Sequence, residues 1–251
     1  MLIMDKGMDR EQVKKELVEI GKRIYARNMV AANDGNFSVR INENEIICTP
    51  TGVSKGYMNE DMMCTIDMKG NVLEAKGGYR PSSEMKMHIR VYEKRDDVRA
   101  VVHAHPIYAT SFAIAGNPID RMVSSEAVVN FGGVPVAPYG TPSTAEIPDN
   151  IEKYLPYYDA ILLERHGALT WSVNLMDAYM KMEGLEFYAQ LLHKAMDRGE
   201  VTGFSDEEVK KLYEVREKMK LPGKHPASIC LHGTNETIDR TMPGYQYDFT
   251  K

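Results

Sequence analysis

Two histidines separated by one residue, His103 and His105, stand at the end of an apolar run and are the first candidates for chemistry. Side chains alternate between the two faces of a β-strand, so a strand here places both imidazoles on one face. Each can then reach a common metal ion through one ring nitrogen, at about 2.0–2.1 Å for zinc. Pro106 ends the strand pairing and leaves the two histidines at a strand end. This pattern alone fits a metal site and an ordinary sheet edge equally well, so the interpretation depends on further ligands.

Two further candidate ligands occupy similar positions. His166 follows the apolar segment 160–163, and Glu84 lies at the predicted start of a helix. His88 comes one helical turn after Glu84 on the same face, where a structural role is favoured over a supporting role at the site. Three neutral imidazoles and one carboxylate suit Zn²⁺, with Mn²⁺, Co²⁺ and Fe²⁺ as less favoured alternatives. The candidate metal site therefore comprises His103, His105, His166 and Glu84.

Small hydroxyl and amide side chains on three predicted turns form a second group of candidates. The turns contain Gly35-Asn36-x-Ser38, Thr51-Gly52 and Ser82-Ser83. The serine pair is predicted at a helix N-terminus, where free N–H groups and the helix dipole favour an anion. Each turn alone is explained by capping or turn formation, but next to a metal site the three together predict a phosphate pocket. Its candidate residues are Asn36, Ser38, Thr51, Gly52, Ser82 and Ser83.

Composition excludes several classes of protein. The chain has 251 residues, 43% hydrophobic and 27% charged, which is ordinary for a globular domain. Its formal charge of −5 argues against a nucleic-acid partner. No apolar run approaches the roughly 18–20 residues of a membrane span, and the charged N-terminus does not resemble a signal peptide. Three scattered cysteines (Cys48, Cys64 and Cys230) without a CxxC motif favour the reducing cytoplasm.

Hydrophobic spacing and turn residues outline the elements that must position these side chains. Helical periodicity predicts helices beginning after Asp9, Asn174 and Ser205, and Ser82 or Ser83 is predicted to cap a helix to about Lys94. Segments 37–41, 45–49, 63–67 and 71–75 predict antiparallel strands, and 98–105 a central strand. Composition changes after residue 220. We therefore expect one catalytic domain over 1–220 and a tail over 221–251, either loosely packed or reaching a neighbouring subunit.

Five short motifs, in fixed order between about residues 11 and 192, resemble those of the class II aldolase/adducin family. They are Gly35-Asn36-x-Ser38, Thr49-Pro50-Thr51-Gly52, Pro81-Ser82-Ser83-Glu84, His103-x-His105 and Arg165-His166-Gly167. The resemblance implies an α/β fold in three layers, with a central, mainly antiparallel β-sheet flanked by helices. It also implies a homotetramer with active sites between subunits. The three histidines would bind catalytic Zn²⁺, and Glu84 would be the acid/base and would ligate the metal when substrate is absent.

The chemistry implied is retro-aldol cleavage of a ketose 1-phosphate to dihydroxyacetone phosphate and a short aldehyde. A divalent cation stabilises the enediolate charge, and a carboxylate beside it remains a usable base. Related aldolases use a tyrosine of a C-terminal arm as proton donor, and Tyr245 and Tyr247 are the candidates here. The substrate skeleton is left open among a 6-deoxyhexulose, a pentulose and a 5-modified ribulose 1-phosphate.

Three alternatives share the motifs. An L-ribulose-5-phosphate 4-epimerase uses the same metal, but an aspartate in place of Glu84 would favour it. A methylthioribulose-1-phosphate dehydratase is not excluded. A non-catalytic adducin-like interaction module would be expected to lose a metal histidine or the glutamate, and all four residues are present.

Overall fold

An eight-stranded β-sheet forms the centre of the molecule. The computed structural model describes residues 8–228. The strands are β1 (Asn36–Arg40), β2 (Glu45–Cys48), β3 (Cys64–Asp67), β4 (Val72–Glu74), β5 (Ala100–Ala104), β6 (Val136–Ala137), β7 (Ala160–Leu163) and β8 (Gly167–Ser172). Their order is β4-β3-β2-β1-β5-β8-β7-β6, and only the β6–β7 pair is parallel. The predicted central, mainly antiparallel sheet is confirmed.

Helices cover both faces of this sheet. In the described part of the chain they are α1 (Arg10–Ala26), α2 (Met85–Lys94), α3 (Ile107–Ala115), α4 (Ser125–Asn130), α5 (Glu146–Glu152), α6 (Leu175–Met196) and α7 (Asp206–Met219). Two predicted caps are confirmed, since the side chains of Asp9 and Asn174 accept backbone N–H groups at the starts of α1 and α6. Ser205, predicted as the start of the last helix, caps α7 in the same way. The helices begin there because these short side chains satisfy N–H groups that the first helical turn leaves free.

The start of α2 differs from the sequence-based expectation. Glu84, and not a serine, is the residue before the helix, and its side chain makes no capping hydrogen bond. Ser82 Oγ instead accepts the backbone N–H of Glu84 at 3.3 Å. The prediction of a serine cap was therefore wrong. The consequence is chemical, because the Glu84 carboxylate is not used in capping and is available to the neighbouring histidines.

Two apolar layers hold the sheet between the helices. Along β5, Val101 joins the cluster shared with α2 and α5, whereas Val102 joins the cluster shared with α1, α3 and α6. This alternation explains why all five residues of β5 are buried. Each fully buried Val, Leu or Ile contributes roughly 1.5–3 kcal/mol relative to an exposed one. The strand that carries His103 is thus buried on both faces. On the adjacent strand β1, Asn36 pairs directly with His103.

The first residues of the predicted tail pack against the same domain. Asp159, just before β7, accepts hydrogen bonds from Arg95 Nη2 at 2.7 Å, from Lys181 Nζ at 2.7 Å and from the Lys224 backbone N–H at 3.0 Å. A side chain at Gly223 would collide with this carboxylate, so the close approach requires glycine. Residues 221–228 are therefore fixed by a buried charge cluster. Tyr245 and Tyr247 lie outside the described residues, as does the rest of the predicted arm. Nowhere in residues 8–228 does a helix combine the length and apolar character needed to cross a membrane.

Candidate metal centre and phosphate pocket

Three histidines from two separate segments of the chain converge at the ends of the central strands β5, β7 and β8. His103 belongs to β5, His105 follows that strand, and His166 lies in the turn between β7 and β8. One potential ligand atom from each lies within 4.8 Å of the others. The Nε2 atoms of His103 and His105 are 3.1 Å apart. Two nitrogens bound to one tetrahedral zinc ion at 2.0–2.1 Å would be about 3.3 Å apart, so the described geometry suits a common cation.

The tight turn before β8 brings His166 to this position. Arg165 adopts a left-handed backbone with φ of 57°, and the His166 N–H donates to the Leu163 carbonyl at 3.0 Å. Gly167 follows, where an added Cβ would lie 2.5 Å from His105 Cδ2 and 2.6 Å from the Ala104 carbonyl oxygen. Only a residue without a side chain lets β8 pass this close to the histidines. The Arg165-His166-Gly167 motif therefore has a steric reason.

Neighbouring oxygen atoms fix how the imidazoles face the site. His103 Nδ1–H donates to the Ala168 carbonyl at 2.9 Å, which leaves the lone pair on Nε2 for a ligand. His105 Nδ1 faces Asp34 Oδ2 at 3.4 Å. Burial lowers the pKa of His103 well below its usual value, and burial also lowers the pKa of His166. Both are therefore held neutral, which is the form that binds a metal.

Two buried polar atoms of these residues make no hydrogen bond within the described part of the chain. They are His166 Nδ1 and Glu84 Oε1, and neither makes a hydrogen bond. Unpaired buried polar atoms cost about 1–3 kcal/mol each, so native structures seldom leave them unused. Glu84 Oε1 lies 3.3 Å from His166 Nε2, and Glu84 Oε2 lies 3.6 Å from His103 Nε2. Three imidazoles with an adjoining carboxylate fit a divalent transition-metal ion.

A chain of buried hydrogen bonds orients the Glu84 carboxylate. Asn36 Nδ2 donates to Glu84 Oε2 at 2.8 Å, and His88 Nε2–H donates to Asn36 Oδ1 at 2.6 Å. Ser38 Oγ–H donates to His88 Nδ1 at 2.7 Å, and Tyr92 lies behind Ser38 at 2.8 Å. Burial lowers the pKa of His88 to about 3, so the ring is neutral, with one donor and one acceptor nitrogen. His88 therefore holds Asn36, and Asn36 holds Glu84.

An open cavity of about 220 Å³ adjoins the metal site. Four of the predicted phosphate residues line it together with metal-site residues: Asn36, Thr51, Ser82, Ser83, Glu84, His105 and His166. Gly52 follows Thr51 in an exposed left-handed turn but is not among the described lining residues. Ser38 is fully buried behind Asn36, bonded to His88 and Tyr92. The structure therefore separates Ser38 from the other predicted phosphate ligands.

Four polar residues of this cavity were not predicted: Asn33, Asp34, Lys55 and Ser143. Asp34 faces His105, Lys55 lines the wall after the Thr51-Gly52 turn, and Ser143 donates from its hydroxyl to Ser83 Oγ at 2.7 Å. Asp34 and Lys55 stand next to recognised motifs, and that adjacency is the signal that could have indicated them. Ser143 comes from a distant loop and has no such signal.

The fold and the site define a protein with three histidines and a carboxylate arranged as for a divalent cation, beside a polar cavity at the ends of the central strands of a mainly antiparallel sheet. Comparison with known families agrees, because the family model described as "Class II Aldolase and Adducin N-terminal domain" matches residues 15–193. This chain belongs to the class II aldolase and adducin family.

Named relatives narrow the comparison. An L-fuculose phosphate aldolase of Methanococcus maripaludis is 33% identical over 176 residues, 70% of this chain and 93% of the relative. A 3-oxo-tetronate 4-phosphate decarboxylase of Haemophilus influenzae is 31% identical over 204 residues, 79% of this chain and 95% of the relative. A solved L-fuculose 1-phosphate aldolase superposes with a TM-score of 0.76 at 33% identity, covering 84% of this chain and 97% of that one.

Proposed function

We propose that this protein is a zinc-dependent aldolase that cleaves a ketose 1-phosphate to dihydroxyacetone phosphate and a short aldehyde. The observation that carries the proposal is the convergence of His103, His105 and His166 on Glu84 at the mouth of a polar cavity. The ketose is L-fuculose 1-phosphate or a related 5-modified ribulose 1-phosphate. Similarity to L-fuculose phosphate aldolases over most of both chains supports this substrate class.

Some residues of the site are proposed to bind the substrate phosphate, and Glu84 is proposed to transfer the proton. Asn36, Thr51, Ser82 and Ser83 hold the phosphate away from the bond that breaks, which positions the sugar before the chemical step. When bound, the zinc ion supplies Lewis-acid stabilisation of the negative charge that develops on substrate oxygen. Glu84 returns a proton to the carbon of dihydroxyacetone phosphate that lost the bond, and removes it in the synthetic direction.

The hydrogen bond from Asn36 gives Glu84 a defined direction for this transfer. A base must approach within hydrogen-bond distance of its proton, and a free glutamate has three rotatable bonds to restrain. Asn36 Nδ2 fixes Oε2 at 2.8 Å, which leaves Oε1 pointing toward His166. Tyr245 or Tyr247 is proposed to protonate the aldehyde oxygen in the synthetic direction. Both tyrosines lie outside the described residues.

We further propose a homotetramer with sites between subunits. Large apolar side chains are exposed on the neighbouring helices α3 and α6: Ile107, Ile114, Met180, Phe187 and Leu191. Ile107 comes two residues after His105, so a subunit covering this face would also cover the site. Light scattering of the purified protein tests the state, and a monomer at micromolar concentration contradicts it. Buried free thiols at Cys48 and Cys64 support the cytoplasm as its compartment.

A decarboxylase is the second candidate. The relative from Haemophilus influenzae supports it, and the chemical demand is similar because loss of carbon dioxide also leaves charge on an oxygen beside the broken bond. The epimerase and the dehydratase use the same site, whereas an adducin-like module needs no metal. Each of the enzymes gives a different product and the interaction module gives none, so one assay separates these alternatives.

The experiment is a panel of ketose and oxo-acid phosphates incubated with the zinc-loaded protein, with and without a chelator. Release of dihydroxyacetone phosphate with an aldehyde supports the aldolase, and release with carbon dioxide supports the decarboxylase. Conversion of a pentulose phosphate without cleavage supports the epimerase. Absence of both bound metal and turnover would leave the interaction module.

Two variants test the assigned roles. Glu84→Gln should keep the metal but lose about 10²–10⁴-fold in kcat, because the amide cannot carry the proton. His103→Ala should lower zinc content, measured by elemental analysis after dialysis. Full turnover in the first variant would remove Glu84 as the proton carrier, and unchanged zinc in the second would disprove the ligand assignment.

A further inference from the structure

Lys55 is a lysine buried in the wall of the candidate phosphate pocket. It begins a short helical turn, Lys55–Tyr57, that follows the Thr51-Gly52 motif, and only 1% of the residue is exposed. Its Nζ donates to the Asn33 carbonyl at 2.9 Å and to the Val53 carbonyl at 2.8 Å. These carbonyls belong to the two turns that carry Asn36 and Thr51. The ammonium group therefore links the turn before Asn36 to the turn after Thr51, on two sides of the pocket.

The Lys55 ammonium group has one N–H group that the two carbonyls do not use, and no carboxylate of residues 8–228 lies at ion-pair distance from it. An ammonium has three N–H groups, and the two carbonyls use two of them. Within residues 8–228 no carboxylate lies at ion-pair distance from Lys55, whereas the other largely buried lysines have such partners. Lys14 pairs with Glu11 at 2.9 Å, and Lys181 pairs with Asp159 at 2.7 Å. A buried cation without a counter-charge is costly, so its retention in a pocket calls for an anion.

The charges of the residues that line the pocket also favour a role for Lys55 in binding an anion. Among the described lining residues, Lys55 is the one lysine or arginine, while Asp34 and Glu84 are acidic. Apart from the proposed metal ion, hydroxyl and amide groups alone would receive a phosphate dianion between side chains of net negative charge. Burial lowers the pKa of Lys55 to about 8, against the opposing pull of Asp34 and Glu84. An incoming anion would favour the charged form of the lysine.

We propose that Lys55 is the buried cation that binds the phosphate monoester of the substrate through its third N–H group. The proposal rests on the function proposed above, in that it takes the pocket to be a sugar-phosphate pocket. Lys55 acts at the end of the substrate remote from the reacting carbons, so it contributes to binding and positioning and carries no proton in the reaction. A charge-assisted hydrogen bond to phosphate is stronger than the neutral bonds that serines and threonines provide.

A purely structural role for Lys55 makes a different prediction. If the lysine only joined the two turns, its loss would misplace Asn36 and with it Glu84. The value of kcat would then fall, and the affinity for inorganic phosphate would change little. If it binds phosphate, the loss appears mainly in KM and in the affinity for inorganic phosphate. The split between KM and kcat therefore distinguishes the two roles.

The test compares zinc-loaded wild type with K55M and with the matched control K14M. Lys14 is equally long and nearly buried, but it belongs to α1 and pairs with glutamates. Calorimetric titration with inorganic phosphate, together with its inhibition constant in turnover, gives the affinity. We expect K55M to bind phosphate about tenfold to a hundredfold more weakly and to raise KM by a similar factor, with zinc content unchanged and kcat affected less. K14M should match wild type.

Several results would overturn the proposal. Phosphate affinity in K55M within twofold of wild type would do so, as would a wild-type protein that does not bind phosphate. K55Q, which keeps an N–H donor for the carbonyls without the charge, decides the question if K55M does not fold. Titration with phosphate needs no turnover. A protein that binds phosphate through Lys55 but cleaves no ketose phosphate would therefore refute the proposed aldolase and leave this inference standing.

Discussion

Replacing Gly167 by alanine should release the metal without unfolding the protein. Gly167 does not have a left-handed backbone, so alanine is conformationally allowed there. The added methyl would lie 2.5 Å from His105 Cδ2 and 2.6 Å from the Ala104 carbonyl oxygen. That carbonyl belongs to β5, which pairs with β8 through Ala104 and Ala168, so it is not free to move. The contact with this carbonyl therefore strains the β5–β8 pair, whereas the contact with His105 is relieved when the imidazole ring moves away.

The size of the effect follows from the distances. Carbon atoms in contact are about 3.5–4.0 Å apart, so the ring has to retreat by about 1 Å. Metal–ligand distances tolerate only about 0.2 Å, so His105 would leave the coordination distance of a cation shared with His103. We expect zinc affinity to fall about tenfold to a hundredfold, about 1.4–2.7 kcal/mol, as when a residue supporting a ligand is lost. Overpacking should lower the free energy of unfolding of the metal-free protein by about 1–3 kcal/mol.

Competition with a chromophoric chelator measures the zinc affinity, and chemical unfolding of the metal-free protein measures stability. Gly184→Ala is the matched control, since this glycine lies within α6 and its nearest neighbour to an added Cβ is Phe131 at an ordinary 3.7 Å. That variant should bind zinc as wild type does and be up to about 1 kcal/mol more stable, because alanine favours helix. Zinc affinity in Gly167→Ala equal to that of wild type would refute the steric account of the turn.

Two further predictions concern stability. Burial lowers the pKa of both His88 and His225 to about 3, below their unfolded value of 6.5, so the unfolded chain binds protons first as pH falls. The free energy of unfolding of the metal-free protein should therefore decrease below pH 6.5 by about 1.4 kcal/mol per pH unit for each of these histidines, and constant stability in urea titrations between pH 6.5 and 5 would contradict this. Asp159→Asn should lower the free energy of unfolding by about 3–5 kcal/mol, because it leaves Arg95 and Lys181 with a buried, uncompensated charge. Thermal and chemical unfolding check this, and a loss below 1 kcal/mol would show that the cluster is not needed.

Local signals predicted the parts of the fold that local interactions determine. Asp9 and Asn174 were identified as caps, and Ser205 as the start of a helix, because the capping bond reaches only two or three residues along the chain. Helix α4 was not predicted, since its six residues are too few for a hydrophobic period, although Ser124 caps it. At α2 the serines had the better capping propensity, but tertiary contacts placed Glu84 before the helix instead.

In the candidate site, too, local sequence signals predicted some residues, whereas long-range contacts determine the position of others. The metal histidines were predicted because two of them lie at the end of one predicted strand and the third lies just beyond another. Asn36 and Ser38 were predicted together as phosphate ligands on a turn, but both belong to β1, and Ser38 is covered by His88 and Tyr92 of α2. Lys55 was missed because its carbonyl partners are backbone atoms, one of them 22 residues away, and no side-chain spacing records such a contact.

Asn36 and His103 face each other on adjacent strands, and this pairing joins the construction of the protein to its chemistry. A slip of one residue between β1 and β5 would turn the amide that steers Glu84 and the imidazole that accepts the cation to opposite sides of the sheet. Misaligned chains would thus lose ligand and base together, and no partly competent version of the centre could form. Catalytic competence should accordingly appear during refolding only when this central ladder has closed and α2 has brought Glu84 and His88 against it.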